Sequence, residues 1–242
     1  HLKIRRLDEC DYLIISDGVF SKSRSLILEN QIQPRYNKTL AIRGTMSCTK
    51  KIDCENISLF LGPDFHYVIY PVNQKRDLNF IAIMKYKLNK EEQLNHSLFN
   101  DTNFIKRILN NIPIEMREFL DEIKKIKIFP VFVSDSFFRT KNNNVHLIGD
   151  AFFAFPPSFA QGASQSIESA YELFQSIENN TEGNFFINRV DKTRMVNNRS
   201  KLNQFIFHLS NPLTKFFRNI LLKKLTKNKK FLENYLGKIY KN

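Results

Sequence analysis

The chain has 242 residues, of which 42% are hydrophobic, and a formal net charge of +13 at pH 7. This length and composition suffice for one or two domains with a substantial core. The sequence contains no run of 18 apolar residues, the length needed to cross a membrane. The cysteines Cys10, Cys48 and Cys54 are odd in number and lack metal-ligand spacing, so we expect reduced thiols, no metal site and a cytoplasmic location.

The first motif lies near the amino terminus, where residues 11–24 have the sequence DYLIISDGVFSKSR. A short apolar strand ends at Ile15 and leads into a turn at Asp17-Gly18, with Ser21 and Arg24 beyond it. Because Asp-Gly turns after strands are common, this motif alone carries little functional information.

The middle of the chain, residues 46–136, alternates between strand and helix signals. The pattern predicts strands at 58–61, 66–72, 77–88 and 126–133, and helices at 103–111 and 114–125. Such an alternation is typical of an α+β domain.

The most informative segment is VHLIGDAFFAFPPSFAQGASQSIESA, residues 145–170. An apolar strand at 145–148 ends at Gly149-Asp150, where a carboxylate can accept hydrogen bonds from sugar-type hydroxyls. A proline-bearing loop follows, and Gln161-Gly162-Ala163-Ser164 opens an amphipathic helix. Free amides at that helix start could hold an anion or a carbonyl group.

The remainder of the chain is predicted to be helical, with helices at 186–209, 211–226 and 229–240. Residues 213–242 contain nine Lys or Arg and one Glu, and apolar residues recur among them at helical spacing. A basic amphipathic helix of this kind either packs on its own domain, which we prefer, or makes peripheral contact with an anionic membrane. The sequence shows no nucleic-acid-binding module.

These segments together resemble the FAD-dependent aromatic hydroxylases, the class A flavoprotein monooxygenases that include salicylate and ubiquinone-pathway hydroxylases. In that family a strand is followed by ADG, a Ser and an Arg, and later by GDA, a proline and GQG or AQGA before a helix. The matching residues here are Asp17, Gly18, Ser21, Arg24, Gly149, Asp150, Ala151, Pro157, Ala160, Gln161, Gly162, Ala163, Ile167, Glu168 and Ala170.

The resemblance implies a role for each motif. Asp150, with Gly149 and Ala151, would bind the ribityl chain of FAD, and the amides from Gly162 through Ala163 to Ser164, after Gln161, would hold the pyrimidine edge of the flavin. Pro157 would lie near the site of oxygen reaction. The segment with Asp17, Gly18 and Arg24 would contact the FAD diphosphate region and influence the use of NADH or NADPH.

The fold implied by the resemblance is α/β, with a partial Rossmann-like FAD-binding domain and an inserted mixed-sheet substrate domain. We assign residues 1–45 and 137–180 to the FAD-binding domain, 46–136 to the substrate-binding domain and 181–242 to a helical carboxyl-terminal region. The family's GxGxxG fingerprint is absent from the sequence. We therefore expect it to precede His1 and the chain to be incomplete.

The activity implied by the resemblance is hydroxylation of an aromatic or quinone-precursor substrate by molecular oxygen, through a flavin hydroperoxide and with NADH or NADPH as co-substrate. Substrate contacts are assigned by position to Phe65, Tyr70 and Phe159, although each also fits a core position. The phenylalanine-rich loop at 152–159 suggests a bulky or lipid-like substrate. The alternatives are another flavin oxidoreductase of this fold (a reductase, epoxidase or halogenase) or a non-enzymatic fragment with a basic membrane-surface tail.

Overall fold

The computed structural model describes residues 9–29, 33–48, 53–74, 76–117 and 122–239. The chain divides into two compact units, the first formed by residues 1–35 and 132–198 and the second by residues 36–131 and 199–242. Strands and helices occur in both, so the mixed α/β class predicted from the sequence is confirmed.

The first unit contains a short parallel strand pair. Strand β1 (Leu13–Ile15) pairs with β7 (Val145–Leu147) in the register Leu13↔Val145 and Ile15↔Leu147. The amide of Ile148 continues the pairing by donating to the carbonyl of Ile15 at 3.0 Å. Its helices are α1 (Lys22–Ile27), α5 (Gly149–Phe152), α6 (Gly162–Glu178) and the first part of α7 (Glu182–Phe207).

The second unit is built on a five-stranded sheet in the order β3-β4-β5-β2-β6. The ladders of β3 with β4, β4 with β5 and β5 with β2 are antiparallel. Alternate residues of a strand face the same side, which is why Phe65, Tyr67 and Ile69 are all buried. The strands are β2 (Arg35–Ser47), β3 (Ser58–Gly62), β4 (Phe65–Val72), β5 (Asp77–Lys85) and β6 (Lys124–Val133).

Side-chain caps fix where the helices of the second unit begin. Asn89 and Glu92 form a reciprocal capping box at the start of α2, and Asp101 accepts a hydrogen bond from the amide of Phe104 at 2.7 Å at the start of α3. The helices are α2 (Lys90–Leu94), α3 (Thr102–Asn110), α4 (Ile114–Arg117), α8 (Pro212–Leu225) and α9 (Lys229–Tyr235). Within the described ranges, every helix is too short or too polar to traverse a bilayer.

Two sequence predictions about secondary structure and cysteine chemistry are wrong. The helix expected at 114–125 is helical only at Ile114–Arg117, residues 118–121 lie outside the described residues, and β6 begins at Lys124. The alternation of lysine and isoleucine from Lys125 to Ile128 has the period of two that a strand requires. The reduced thiols expected at Cys48 and Cys54 are instead joined in a disulfide with a Cα–Cα distance of 5.9 Å. Cys10 alone is free and exposed.

A buried histidine pair joins the end of α7 to β4 in the second unit. The Nδ1 atom of His66 lies 2.8 Å from the Nε2 atom of His208, and each residue is only 3% exposed. One nitrogen must donate and the other accept, so the hydrogen bond is lost if both rings are protonated. Burial, together with nearby positive charge, lowers the pKa of His66 to about 3 and of His208 to about 4.

We expect this pair to make stability depend on pH. The unfolded rings take up protons below their ordinary pKa of 6.5, whereas the folded rings resist protonation until about pH 4. The free energy of unfolding should therefore be greatest above pH 6.5 and fall as the pH is lowered from 7 to 4. Urea denaturation of His208→Gln should show a shallower decline over that interval. The exposed His96→Gln should retain the parent slope, and an unchanged slope in His208→Gln would contradict the assignment.

Gly44 is expected to be intolerant of a side chain. A Cβ atom at this position of β2 would collide with the side chain of Ile123 and lie 3.0 Å from the backbone oxygen of Lys124. Gly44→Ala should therefore lower the free energy of unfolding by about 2 kcal/mol. The matched variant is Gly183→Ala in α7, where a Cβ meets no atom within 4 Å. That variant should be neutral or stabilising by up to about 1 kcal/mol, as measured by urea denaturation.

Candidate functional site

Two polar turns leave the same end of the parallel strand pair in the first unit. Asp17-Gly18 follows β1, and Gly149-Asp150 follows β7. Because the strands run in the same direction and pair Ile15 with Leu147, both turns lie beyond their carboxyl ends. That edge is where ligands bind in open α/β sheets.

Arg24 connects the two turns physically. Its Nη1 atom donates to the carbonyl oxygen of Ala151 at 2.7 Å, and its Nη2 atom donates to the carbonyl of Val19 at 3.0 Å. Arg24 is 2% exposed, and burial lowers its pKa while the nearby Asp17 carboxylate opposes that effect. The residues of the amino-terminal motif therefore help to hold the position of the GDA segment.

The carboxylate of Asp17 stabilises the turn in which it lies. Its Oδ2 atom accepts a hydrogen bond from the amide of Ser23 at 3.1 Å, near the start of α1. Burial would raise the pKa of Asp17, but hydrogen bonds from Ser21 and Ser23 outweigh it and lower the pKa. Gly18 has a φ of +85°, a conformation that favours glycine. Asp17 is exposed but does not line the cleft that contains Asp150.

Gly149 allows β7 to approach α6 closely. Its φ is +59°, its amide donates to the Oγ of Ser169 at 3.1 Å, and a Cβ there would lie 3.0 Å from the Oγ of Ser166. A larger residue would both strain the backbone and push the helix away. The glycine thus sets the distance between Asp150 and the amino-terminal end of α6.

Asp150 and the start of α6 line one cleft within the first unit. The lining residues include Gly149, Asp150, Phe153, Gly162, Ser166 and Arg189. Asp150 lines this cleft and is solvent-exposed, yet the protein atoms around its carboxylate displace part of its water and raise its pKa. Gln161 provides no side-chain cap to α6, and a Cβ at Gly162 would meet only open space. The helix start is therefore accessible to a ligand that accepts hydrogen bonds from amides.

Pro157 and Phe159 belong to the 3-10 turn Pro157–Phe159, which immediately precedes α6. Pro157 is exposed and its carbonyl accepts the amide of Ala160 at 2.9 Å, whereas Phe159 is 9% exposed. Ala160 has a φ of +54°, so the chain reverses sharply before the helix begins. Of the neighbouring phenylalanines, Phe152 and Phe153 are part of the buried core of the first unit. Core packing therefore accounts for much of the loop's apolar character.

The other two candidate substrate residues lie on β4 in the second unit. Phe65 is 1% exposed and packs parallel to Tyr67, with ring centroids 6.1 Å apart. Tyr70 is partly exposed. Phe65 thus has a structural task within its own sheet, while Tyr70 presents surface that a ligand could contact.

Arg189 lines the cleft but is not among the site residues predicted from the sequence. It is 2% exposed, and its Nη2 atom donates to both the backbone oxygen and the Oε1 atom of Gln165 at 2.7 Å. Its Nη1 atom donates to Glu172 at 3.1 Å. The sequence feature that could have indicated its role is the pair Glu168 and Glu172, which lie one helical turn apart on α6. Two carboxylates this close together favour a cation from a neighbouring helix, here α7. Across the described parts of the chain, acidic, histidine and cysteine side chains form no cluster of three suited to a metal ion.

The chain matches a known protein family. A family model described as an FAD binding domain matches residues 5–185. Salicylate hydroxylase from Pseudomonas putida is 27% identical, over 68% of this chain and 42% of that protein.

Solved structures share the fold at low sequence identity. The Klebsiella pneumoniae protein HpxO in complex with FAD and uric acid superposes with a TM-score of 0.76 at 16% identity, covering 95% of this chain and 60% of that one. The Arthrobacter nicotinovorans 2,6-dihydroxypyridine-3-hydroxylase gives a TM-score of 0.66 at 16% identity, covering 81% and 57%. The chain thus spans about half the length of the relatives it matches.

Arg24→Ala is expected to destabilise the first unit. The substitution removes a buried guanidinium and leaves the carbonyl oxygens of Ala151 and Val19 without these donors. We expect a loss of about 3 kcal/mol in the free energy of unfolding, measured by urea denaturation. The control is Arg43→Ala, which removes an exposed arginine and should change stability by less than about 0.5 kcal/mol. Equal losses in the two variants would refute the role given to Arg24.

Proposed function

Since the chain belongs to the FAD-binding-domain family of class A flavoprotein monooxygenases, we propose that it forms part of an FAD-dependent hydroxylase acting on an aromatic or quinone-precursor ring. The observation that carries the proposal is the cleft shared by Asp150 and Gly162. A carboxylate on one side and open helix amides on the other suit a ligand with both hydroxyl groups and an electron-rich heterocycle.

In this proposal Asp150 accepts hydrogen bonds from the ribityl hydroxyls of FAD. Its position directly after Gly149, at the carboxyl end of β7, places an acceptor at the edge where dinucleotide-type ligands bind. Protein atoms around this carboxylate displace part of its water and raise its pKa. Hydroxyl donors from a ligand would replace some of the missing water.

The start of α6 is proposed to face the pyrimidine edge of the flavin. The amides of Gly162, Ala163 and Ser164 lie at the positive end of a 17-residue helix, which favours negative charge beside them. Preorganised amides of this kind stabilise charge without reorganising during a reaction. Gly162 leaves room for the ring because no atom lies within 4 Å of its Cβ direction.

The remaining residues position and shield the site. When bound, FAD supplies electron transfer from NADH or NADPH and the activation of molecular oxygen. Arg24 holds Ala151 and, through it, the turn that carries Asp150. Pro157 is proposed to lie beside the oxygen-reacting edge, in a turn that also positions Phe159.

We assign flavin binding to the first unit and substrate contact mainly to the second. The flavin residues from both motifs, at positions 17–24 and 149–164, all lie in the first unit. Tyr70 is the best substrate candidate of the second unit on exposure, and it shares β4 with the buried Phe65. Phe159 is the candidate of the first unit. The domain boundaries at residues 46, 137 and 181 remain predictions from the sequence.

The test is made on the gene product as its cell produces it. The purified protein should carry FAD, and NADH or NADPH should reduce that FAD faster when an aromatic acid such as salicylate, or a hydroxylated quinone precursor, is present. Oxygen consumption should then match hydroxylated product. Absence of flavin would refute the proposal. Oxidation of NADH or NADPH that yields a reduced product without oxygen consumption would also refute it, and would indicate a reductase of the same fold.

Asp150→Ala should weaken FAD binding by at least about tenfold, because a charged acceptor of hydroxyl hydrogen bonds is removed. FAD content and affinity are measured by absorbance and by fluorescence titration of the same gene product. Asp191→Ala is the matched control, because Asp191 is exposed in the first unit and pairs with Arg194 at 3.2 Å, one turn away on the same helix. It should leave affinity unchanged. Equal retention of FAD by both variants would remove Asp150 from the site.

A further inference from the structure

We propose that α8 binds the surface of an anionic membrane, lying in its plane with an apolar stripe inserted among the lipids. The stripe comprises five large apolar side chains of α8, each between 51% and 65% exposed: Leu213, Phe216, Phe217, Ile220 and Leu221. Their spacing of three and four residues places them on one face of the helix. The helix has 14 residues, fewer than the roughly 20 needed to span a bilayer.

The helix is fastened to the second unit by its opposite face. Arg218 is 6% exposed, and its Nη1 atom donates to the carbonyl of Phe207 at 3.2 Å. Leu222 and Leu225, which share that side of the helix, are also less exposed than the stripe. A helix that packed in the usual way would bury its phenylalanines and expose its arginine. Here the packing is reversed, so the stripe is held toward solvent.

The segment after α8 is also fixed. The Nη1 atom of Arg199, on α7, donates to the carbonyl of Tyr235 at the end of α9. The hydroxyl of Tyr235 donates to the Oδ1 of Asn203 at 2.7 Å, and Ile239 is fully buried. Because α8 is held at Arg218 and α9 is held against α7, the stripe and the residues after it form a defined surface.

The positive charge beside the stripe indicates that its partner is an anionic membrane surface. Lys223 and Lys224 are exposed at the carboxyl-terminal end of the stripe, and Lys227, Lys229 and Lys230 follow in the next ten residues, all exposed. Glu233 is the single acidic residue in 213–242. Lysines beside an apolar stripe can extend their amines to phosphate headgroups while their methylenes stay near the acyl chains. A nucleic acid would use the lysines but not the stripe, and a second copy would bring the same positive charges into opposition.

The experiment is sedimentation of the gene product with phosphatidylcholine vesicles containing 0 or about 30% phosphatidylglycerol, a range in which anionic surface charge is substantial. We expect binding to the anionic vesicles, loss of most of that binding in about 0.5 M NaCl, and little binding to the neutral vesicles. Tryptophan is absent from the chain. A Phe217→Trp variant therefore reports insertion by a blue shift in its fluorescence.

Two sets of variants test separately how the apolar stripe and the lysines contribute to membrane binding. Phe216→Ser/Phe217→Ser/Ile220→Ser and Lys223→Gln/Lys224→Gln should each weaken binding to anionic vesicles by about tenfold or more. The matched control is Ile57→Ser/Leu94→Ser, which removes two side chains that are 73% and 80% exposed elsewhere in the second unit. It should bind like the parent, and FAD content should be the same in all variants.

Three results would overturn the proposal. Equal binding to neutral and anionic vesicles would exclude the role of charge. Parent-like binding by the serine variant would exclude the stripe. A concentration-dependent dimer in analytical ultracentrifugation, dispersed by the serine substitutions, would show that the stripe joins two copies of the chain. Because FAD content is measured separately, failure here leaves the proposed hydroxylase function intact.

Discussion

The parallel pairing of β1 with β7 is the constraint on which the candidate site depends. These strands are separated by about 130 residues in the chain, yet three residues of each lie in register. Parallel direction brings both following turns to one edge, whereas an antiparallel pairing would place Asp17 and Asp150 at opposite ends. Ile15 and Leu147 bury the pair in the core of the first unit. The polar turns at that edge therefore follow directly from strands that are anchored in the hydrophobic core.

The cleft presents polar groups that are available to a ligand. Asp150 has an elevated pKa because its carboxylate is poorly solvated, and the first amides of α6 lack a side-chain cap. The carboxylate is thus incompletely hydrated, and the first amides of α6 are left to water or to a ligand. Groups of this kind are common at binding sites, where a ligand replaces water and completes the hydrogen bonds.

Sequence patterns predicted the strand–turn–helix segments well because each carries its own local signals. The 145–148 strand, the glycine before Asp150 and the small residues before α6 occur within 20 residues and lead to β7, α5 and α6. The predicted strands at 58–61, 66–72 and 126–133 also lie within or close to β3, β4 and β6. Strand β2 was not predicted, because its polar residues and Gly44 interrupt the apolar alternation.

Long-range partners were harder to predict than local elements. Nothing in the residues around His66 indicates that its ring meets His208, 142 positions away. The pairing of Cys48 with Cys54 was also missed, because an odd number of cysteines does not reveal which two meet. The role of Arg189 required knowledge that α6 and α7 pack together with two glutamates facing one guanidinium.

The contact between Arg24 and the GDA segment has an evolutionary consequence, because the arginine recognises a main-chain oxygen and not a side chain. Any small residue at position 151 presents the same carbonyl, so drift at that position requires no compensating change at position 24. Among homologous sequences we would look for an arginine that is retained while the residue at its partner position changes. Methods that infer proximity from correlated substitution would then overlook one of the strongest links between the two motifs.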